Sequence, residues 1–118
     1  MINGAHTIIY SKDAEKVRAF LRDVLGWNSV DAGDGWLIFG LPPAEVAVHP
    51  TEQDGSSGTH ELFLMCDDLK KTMADLQNKG VGFGPITQAP YGSLTTIKLP
   101  DGGELGLYQP RHPTALSL

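Results

Sequence analysis

Four histidines, 14 acidic residues and nine aromatic residues (2 Trp, 3 Tyr, 4 Phe) carry most of the chemistry available to this chain. Imidazole and carboxylate groups do two jobs well: they ligate divalent metals, and they accept or donate protons near neutral pH. His6, His49, Glu61 and Glu104 lie in or beside short β-branched or apolar runs, where a strand would aim them at one face. His60 neighbours Glu61, and placing it on the same face would require a register slip. His112 sits in a proline-flanked tail and reads as solvent-exposed; Glu45 and Glu104 start strands and read as solvated. Tyr10, Trp36, Phe63, Tyr91 and Tyr108 are the rings that could wall a ligand, and Trp27 is equally a core residue. One cysteine, Cys66, excludes an internal disulfide framework and a Cys-rich zinc site, and nothing near it would lower its pKa. The glycine-rich segments are turns without phosphate-loop spacing.

Short strands and two helices must position these groups. His6-Thr7-Ile8-Ile9-Tyr10 reads as a strand, beginning at Ala5. Ser11 and Asp13 offer caps to a helix on which Ala14, Val17, Phe20, Leu21, Val24 and Leu25 recur at helical spacing, stopped by Gly26. Strands follow at 28–31, 36–39 and 45–49, then a linker over 51–59 with no apolar residue. The pattern then repeats. A strand spans 60–66, and Asp67 or Asp68 caps a helix carrying Leu69, Met73 and Leu76, stopped by Gly80. A strand edge is expected at 81–83, a loop at 86–92, and strands at 94–99 and 104–109. Thr7 and Leu62 are 55 apart, as are Asp13 and Asp68, which marks a duplicated unit. The expected fold is therefore α+β: two tandem βαβββ units, 4–50 and 60–110, joined by the linker 51–59 and followed by the tail 111–118.

Side chains alternate across a strand, so parity assigns faces. Thr7 and Ile9, Val46 and Val48, Leu62 and Leu64, Leu105 and Leu107 share an aliphatic face that the helices should cover. The other face mixes His6, Ile8 and Tyr10 with Glu45, Ala47 and His49, then Glu61, Phe63 and Met65 with Glu104, Gly106 and Tyr108. No further element is left to cover it. A curved sheet with helices outside and an open, half-polar concave face is a ligand cleft.

Composition narrows the partners. The chain has 118 residues, enough for one domain with one core. A net charge of −5 without a basic run argues against nucleic acid and anionic membranes. No apolar run is long enough to span a bilayer, and no signal peptide is visible at the N-terminus, so a cytoplasmic protein is expected.

The residues just described resemble the vicinal oxygen chelate superfamily, which includes glyoxalase I, bleomycin-resistance proteins, fosfomycin-resistance proteins and extradiol dioxygenases. The resemblance covers residues 4–110. It rests on His6-Thr7-Ile8-Ile9-Tyr10, Phe20-Leu21-Arg22-Asp23-Val24-Leu25-Gly26-Trp27, Cys66-Asp67-Asp68-Leu69, Tyr91-Gly92, and the run from Leu99-Pro100-Asp101-Gly102 to Tyr108-Gln109-Pro110. It implies a fold, but not one reaction, since the superfamily spans isomerases, lyases, thiol transferases, dioxygenases and non-catalytic binders.

In family enzymes each unit gives the metal one ligand from its first strand and one from its last. The resemblance puts the first-strand positions at His6 and Glu61, and the last-strand positions at Ala47 and Gly106, which cannot bind a metal. His49 and Tyr108 lie two residues further along the same face. His6, His49 and Glu61 would supply two nitrogens and a carboxylate, a set suited to Fe, Mn, Zn or Ni, with Glu61 or Glu104 as a proton-transfer base. One expectation is thus a metal-dependent lyase, isomerase or dioxygenase. The alternative is a metal-free binding protein of the bleomycin-resistance type, in which His6 and His49 are polar groups of a pocket holding an aromatic or cationic small molecule. A homodimer is expected by resemblance, with the cleft either within one chain or across two.

Overall fold

The computed structural model describes residues 6–49 and 60–117; the expected linker and the residues before His6 lie outside the described residues. Helix α1 runs Ala14–Asp23. The Asp13 carboxylate accepts the Lys16 N–H at its start, Glu15 occupies the first turn and Arg22 the last, each matching the helix dipole. Gly26 adopts φ +73°. That left-handed step lets the Trp27 N–H donate to the Leu21 carbonyl at 3.1 Å and closes the helix. A hairpin follows, β1 (Ser29–Asp31) antiparallel to β2 (Leu37–Phe39).

The second half builds the main sheet. Strand β3 (Phe63–Met65) leads to α2 (Leu69–Gln77), capped by Asp68, whose carboxylate accepts the Lys71 N–H. Then come β4 (Thr87–Ala89), β5 (Gly92–Lys98) and β6 (Glu104–Pro110). The sheet order is β3-β6-β5-β4, with β3 parallel to β6 and the other pairs antiparallel. The core sits between this sheet and the helices: Val17 and Leu21 from α1, Leu69 from α2, then Val81, Ile97, Leu99, Leu105 and Leu107. Parity therefore works in the second half. Leu105 and Leu107 are buried on the helix side, and Phe63 pairs with Gly106 and Met65 with Tyr108 on the other.

The expected α+β class is observed, and three expectations about its strands are corrected. Residues 6–10 and 45–49 form no strand, so the first half contributes a hairpin where a full unit was expected. Val46 and Val48 are not covered by helices: they are 90% and 92% exposed, as is Tyr10 at 90%. The described part of the chain offers these segments no strand to pair with, and strand propensity yields a ladder only where a neighbour supplies the hydrogen bonds. Third, the loop expected at 86–92 contains β4. Pro85 and Pro90 hide it in the sequence, but between them Thr87, Gln88 and Ala89 pair with Leu94, Ser93 and Gly92.

Besides the shared core, hydrogen bonds join the halves: the Ser11 hydroxyl donates to Asp101 Oδ2 at 2.5 Å, across 90 residues of sequence, and the Lys79 ammonium donates to the Val24 carbonyl at 3.4 Å. Among the described residues no helix is long and apolar enough to cross a membrane.

Candidate functional site

The concave face of the sheet is built from β3, β5 and β6. A cavity of about 480 Å³ opens on it, lined by Thr7 and Ile9 of the N-terminal segment, by His60, Glu61 and Phe63, and by Thr96, Glu104 and Gly106. Glu61 and Glu104, separated by 43 positions, share this cavity because β3 and β6 run side by side. His60 lines it too.

Gly106 has a structural reason to be glycine. A Cβ built there would collide with the ring of Phe63, lying 2.7 Å from its Cε1. The position at which the family resemblance places a metal-binding glutamate is thus overlaid by an aromatic ring. Phe63 in turn meets Tyr108 edge to face, with centroids 5.8 Å apart, a favourable geometry for two quadrupoles.

Beyond Phe63 the aromatic wall continues. The Tyr108 hydroxyl lies 3.1 Å from His112 Nε2, and His112 Nδ1 lies 2.8 Å from the Pro113 carbonyl oxygen. A carbonyl only accepts, so Nδ1 carries the proton; in the neutral ring Nε2 accepts from the tyrosine. Tyr91, in the turn between β4 and β5, packs edge-on to His49 with centroids 6.1 Å apart. Its carbonyl accepts the Arg111 N–H at 2.8 Å, which folds the tail back over the site. Burial, then the charge of Glu45, then Tyr91 push the Tyr108 phenol above its ordinary value. Glu45 is half-buried, and its Oε1 is shielded from solvent with no partner among the described residues. Its Oε2 accepts only the Ala115 N–H, at 3.4 Å.

The structure gathers some of the sequence candidates and separates others. Phe63 meets Tyr108 and Tyr91 meets His49, each pair edge to face, and Glu61 and Glu104 line the cavity. Tyr10 stands in solvent. Trp36 does not line the cavity; the Arg18 guanidinium of α1 sits 4.8 Å from its ring centroid. His6 is exposed. The reading of Glu45 and His112 as solvated groups is corrected: both are half-buried, His112 beside Tyr108 and Glu45 beside the Ala115 N–H. Parity already placed Glu45 beside His49; nothing in the sequence showed that the tail would return to meet it.

The described residues of one chain do not gather the sequence's candidates for a metal site. Among the described residues no group of three or more His, Cys, Asp or Glu side chains is arranged to hold a divalent metal. His49 packs on Tyr91 while Glu61 lines the cavity beside Thr7, and Phe63 covers the family's glutamate position.

Residues 4–107 match the model of the Glyoxalase/Bleomycin resistance protein/Dioxygenase superfamily. The chain belongs to that superfamily. Among solved structures it is similar to TnmS3, an antibiotic-binding protein from Streptomyces sp. CB03234, at 27% identity and a TM-score of 0.62, covering 93% of this chain and 99% of that one. A glyoxalase/bleomycin resistance protein from the same organism is 28% identical, with a TM-score of 0.56 over 84% of this chain and 93% of its own. Lactoylglutathione lyase from Agrobacterium tumefaciens shares the fold at 18% identity and a TM-score of 0.64, covering 91% and 92%. No curated protein matches the chain.

Proposed function

We propose that this superfamily member is a cytoplasmic binding protein that holds a small, partly aromatic organic ligand on its concave face without transforming it, and that it works as a homodimer. The observation that carries the reading is the Phe63 ring over Gly106. It turns the position of a metal-binding side chain into an apolar wall continuous with Tyr108. Aromatic walls with a few polar groups are what a small-molecule site needs. The similarity to an antibiotic-binding protein supports the same reading.

The dimer has a quantitative argument. The chain exposes 8977 Å². A folded monomer of 12.7 kDa is expected to expose about 6,200 Å². Its radius of gyration is 15.3 Å, where about 13.5 Å is typical for this length. The uncovered excess comfortably exceeds what one partner buries in an ordinary interface, and the exposed Val46, Val48 and Tyr10 are part of it. A second chain would supply the neighbours that segments 6–10 and 45–49 lack.

Calorimetric titration against a panel of soluble planar aromatic compounds tests the binding. At least one is expected to bind with 1:1 stoichiometry per chain, with affinity unchanged by EDTA. If the purified protein instead takes up one equivalent of Zn, Mn, Ni or Fe(II) and loses it in His6→Ala, the metal-dependent reading replaces this one.

A further inference from the structure

We propose that the C-terminal tail shapes the cavity: His112 is a positioning residue that holds the Phe63 wall through Tyr108, and Arg111 seats the tail that carries it. This rests on the binding reading above and adds what fixes the form of that site.

The tail starts where β6 ends. Residues 111–117 form no helix or strand, and among the described residues the core takes no side chain beyond Leu107. Polar contacts therefore place the tail. The Arg111 N–H donates to the Tyr91 carbonyl at 2.8 Å. Its guanidinium grips the β4–β5 hairpin, donating to the Ala89 carbonyl at 2.6 Å, to the Ser93 hydroxyl at 3.1 Å and to the Gln88 side-chain oxygen. The Ser93 hydroxyl gives its own proton to that Gln88 oxygen at 2.7 Å. These contacts fix the chain at 111 and so the place of the next residue.

His112 is set to accept a proton. Its Nδ1 donates to the Pro113 carbonyl at 2.8 Å, which leaves Nε2 as the lone-pair nitrogen of a neutral ring. The Tyr108 hydroxyl, 3.1 Å away, donates to it. A tyrosine ring swings on two side-chain torsions, and a hydrogen bond at its far end removes that freedom. The ring so held meets Phe63 edge to face, with centroids 5.8 Å apart and planes at 86°. Phe63 has no polar atom, so packing alone sets its rotamer. It is Phe63 that lines the cavity and covers Gly106. A continuous series of contacts thus runs from Arg111 through His112 and Tyr108 to the cavity wall. Because the tail adds nothing to the core, losing these contacts should move the wall more than it lowers the unfolding temperature.

Ring NMR signals of Phe63 read the wall without any ligand. In His112→Ala they are expected to shift and broaden. In His112→Gln, whose amide oxygen can accept the Tyr108 proton, they should return toward their original positions. Tyr108→Phe keeps the ring and removes the hydroxyl; it should match His112→Ala, with no further change in the double variant. Arg111→Ala should move the signals in the same direction. Calorimetric titration with indole, quinoline and 1-naphthol then reads the site. The tightest binder of the three is expected to weaken about fivefold in His112→Ala, the worth of one hydrogen bond, and to recover in His112→Gln. Unmoved Phe63 signals in His112→Ala, unchanged affinity, or additive losses in the double variant overturn the proposal and leave the binding reading standing. Unmoved signals in Arg111→Ala overturn the seating role given to that residue. Silence from these probes and from the wider aromatic panel overturns the binding reading, and the Phe63 signals then decide by themselves whether His112 positions the wall.

Discussion

The Ser11–Asp101 hydrogen bond is a residue-scale link between the two halves, and it makes the fold sensitive to acid. The Ser11 hydroxyl, then the Gly103 N–H, hold the Asp101 carboxyl below its ordinary value. Its pKa is therefore lower folded than unfolded, so over the interval between the two values the unfolded chain binds more protons. Stability from this contact is fully present above the unfolded value of about 3.9 and is lost as pH falls through the folded value. Ser11→Ala should flatten that acid limb, with little effect at neutral pH beyond the loss of one hydrogen bond. Denaturant titrations at several pH values below 5 check it; an unchanged limb rejects the link. From the sequence, Ser11 reads only as a cap. In the structure Asp13 caps α1, and Ser11 accepts the Asp13 N–H while its own proton goes to Asp101. A contact across 90 residues leaves no periodic trace in a sequence.

At the scale of elements, β3 and β6 decide the site. Their parallel register sets Phe63 opposite Gly106 and Met65 opposite Tyr108. Because the Phe63 ring occupies the space of a Gly106 Cβ, Gly106→Ala forces the ring out of place and should cost about 1–3 kcal/mol. Gly106→Glu should cost at least as much and displace the aromatic wall. Thermal unfolding gives the stability, and the aromatic-panel titration gives the binding. A Gly106→Glu protein as stable as the original, with intact ligand affinity, would refute the role given to Phe63. Counting by twos foretold which side of each strand faces the cleft here, because both strands have neighbours and a covered face. It did not foretell that Phe63 leans over its partner, since rotamer choice depends on the space left by a residue 43 positions away.

The whole molecule carries the remaining prediction. Val46 and Val48 are almost fully exposed, in a segment with no pairing partner among the described residues. Substituting both by Asp should convert a dimer, with twice the 12.7 kDa chain mass, into a monomer by sedimentation analysis. Retention of the dimer would move the interface elsewhere, and a monomeric unmodified protein would refute it. Sequence parity put these valines under the helices, yet α1 and α2 spend their apolar faces on the core of the second half.

Local chemistry in the sequence determined much of this protein. Capping residues, helical spacing and glycine stops located both helices, alternation sorted the faces of β3 and β6, and the ordered motifs carried the superfamily. These features survive because each depends on residues a few positions apart. Only the tertiary structure decided that the first half would yield a hairpin, that β4 forms between two prolines, and that the tail returns to bring His112 to Tyr108 and Ala115 to Glu45. It also decided that His6, His49 and Glu61 stay apart within one chain. Parity says which face a side chain occupies; whether two such faces meet depends on backbone pairing between distant segments, and that is settled by packing.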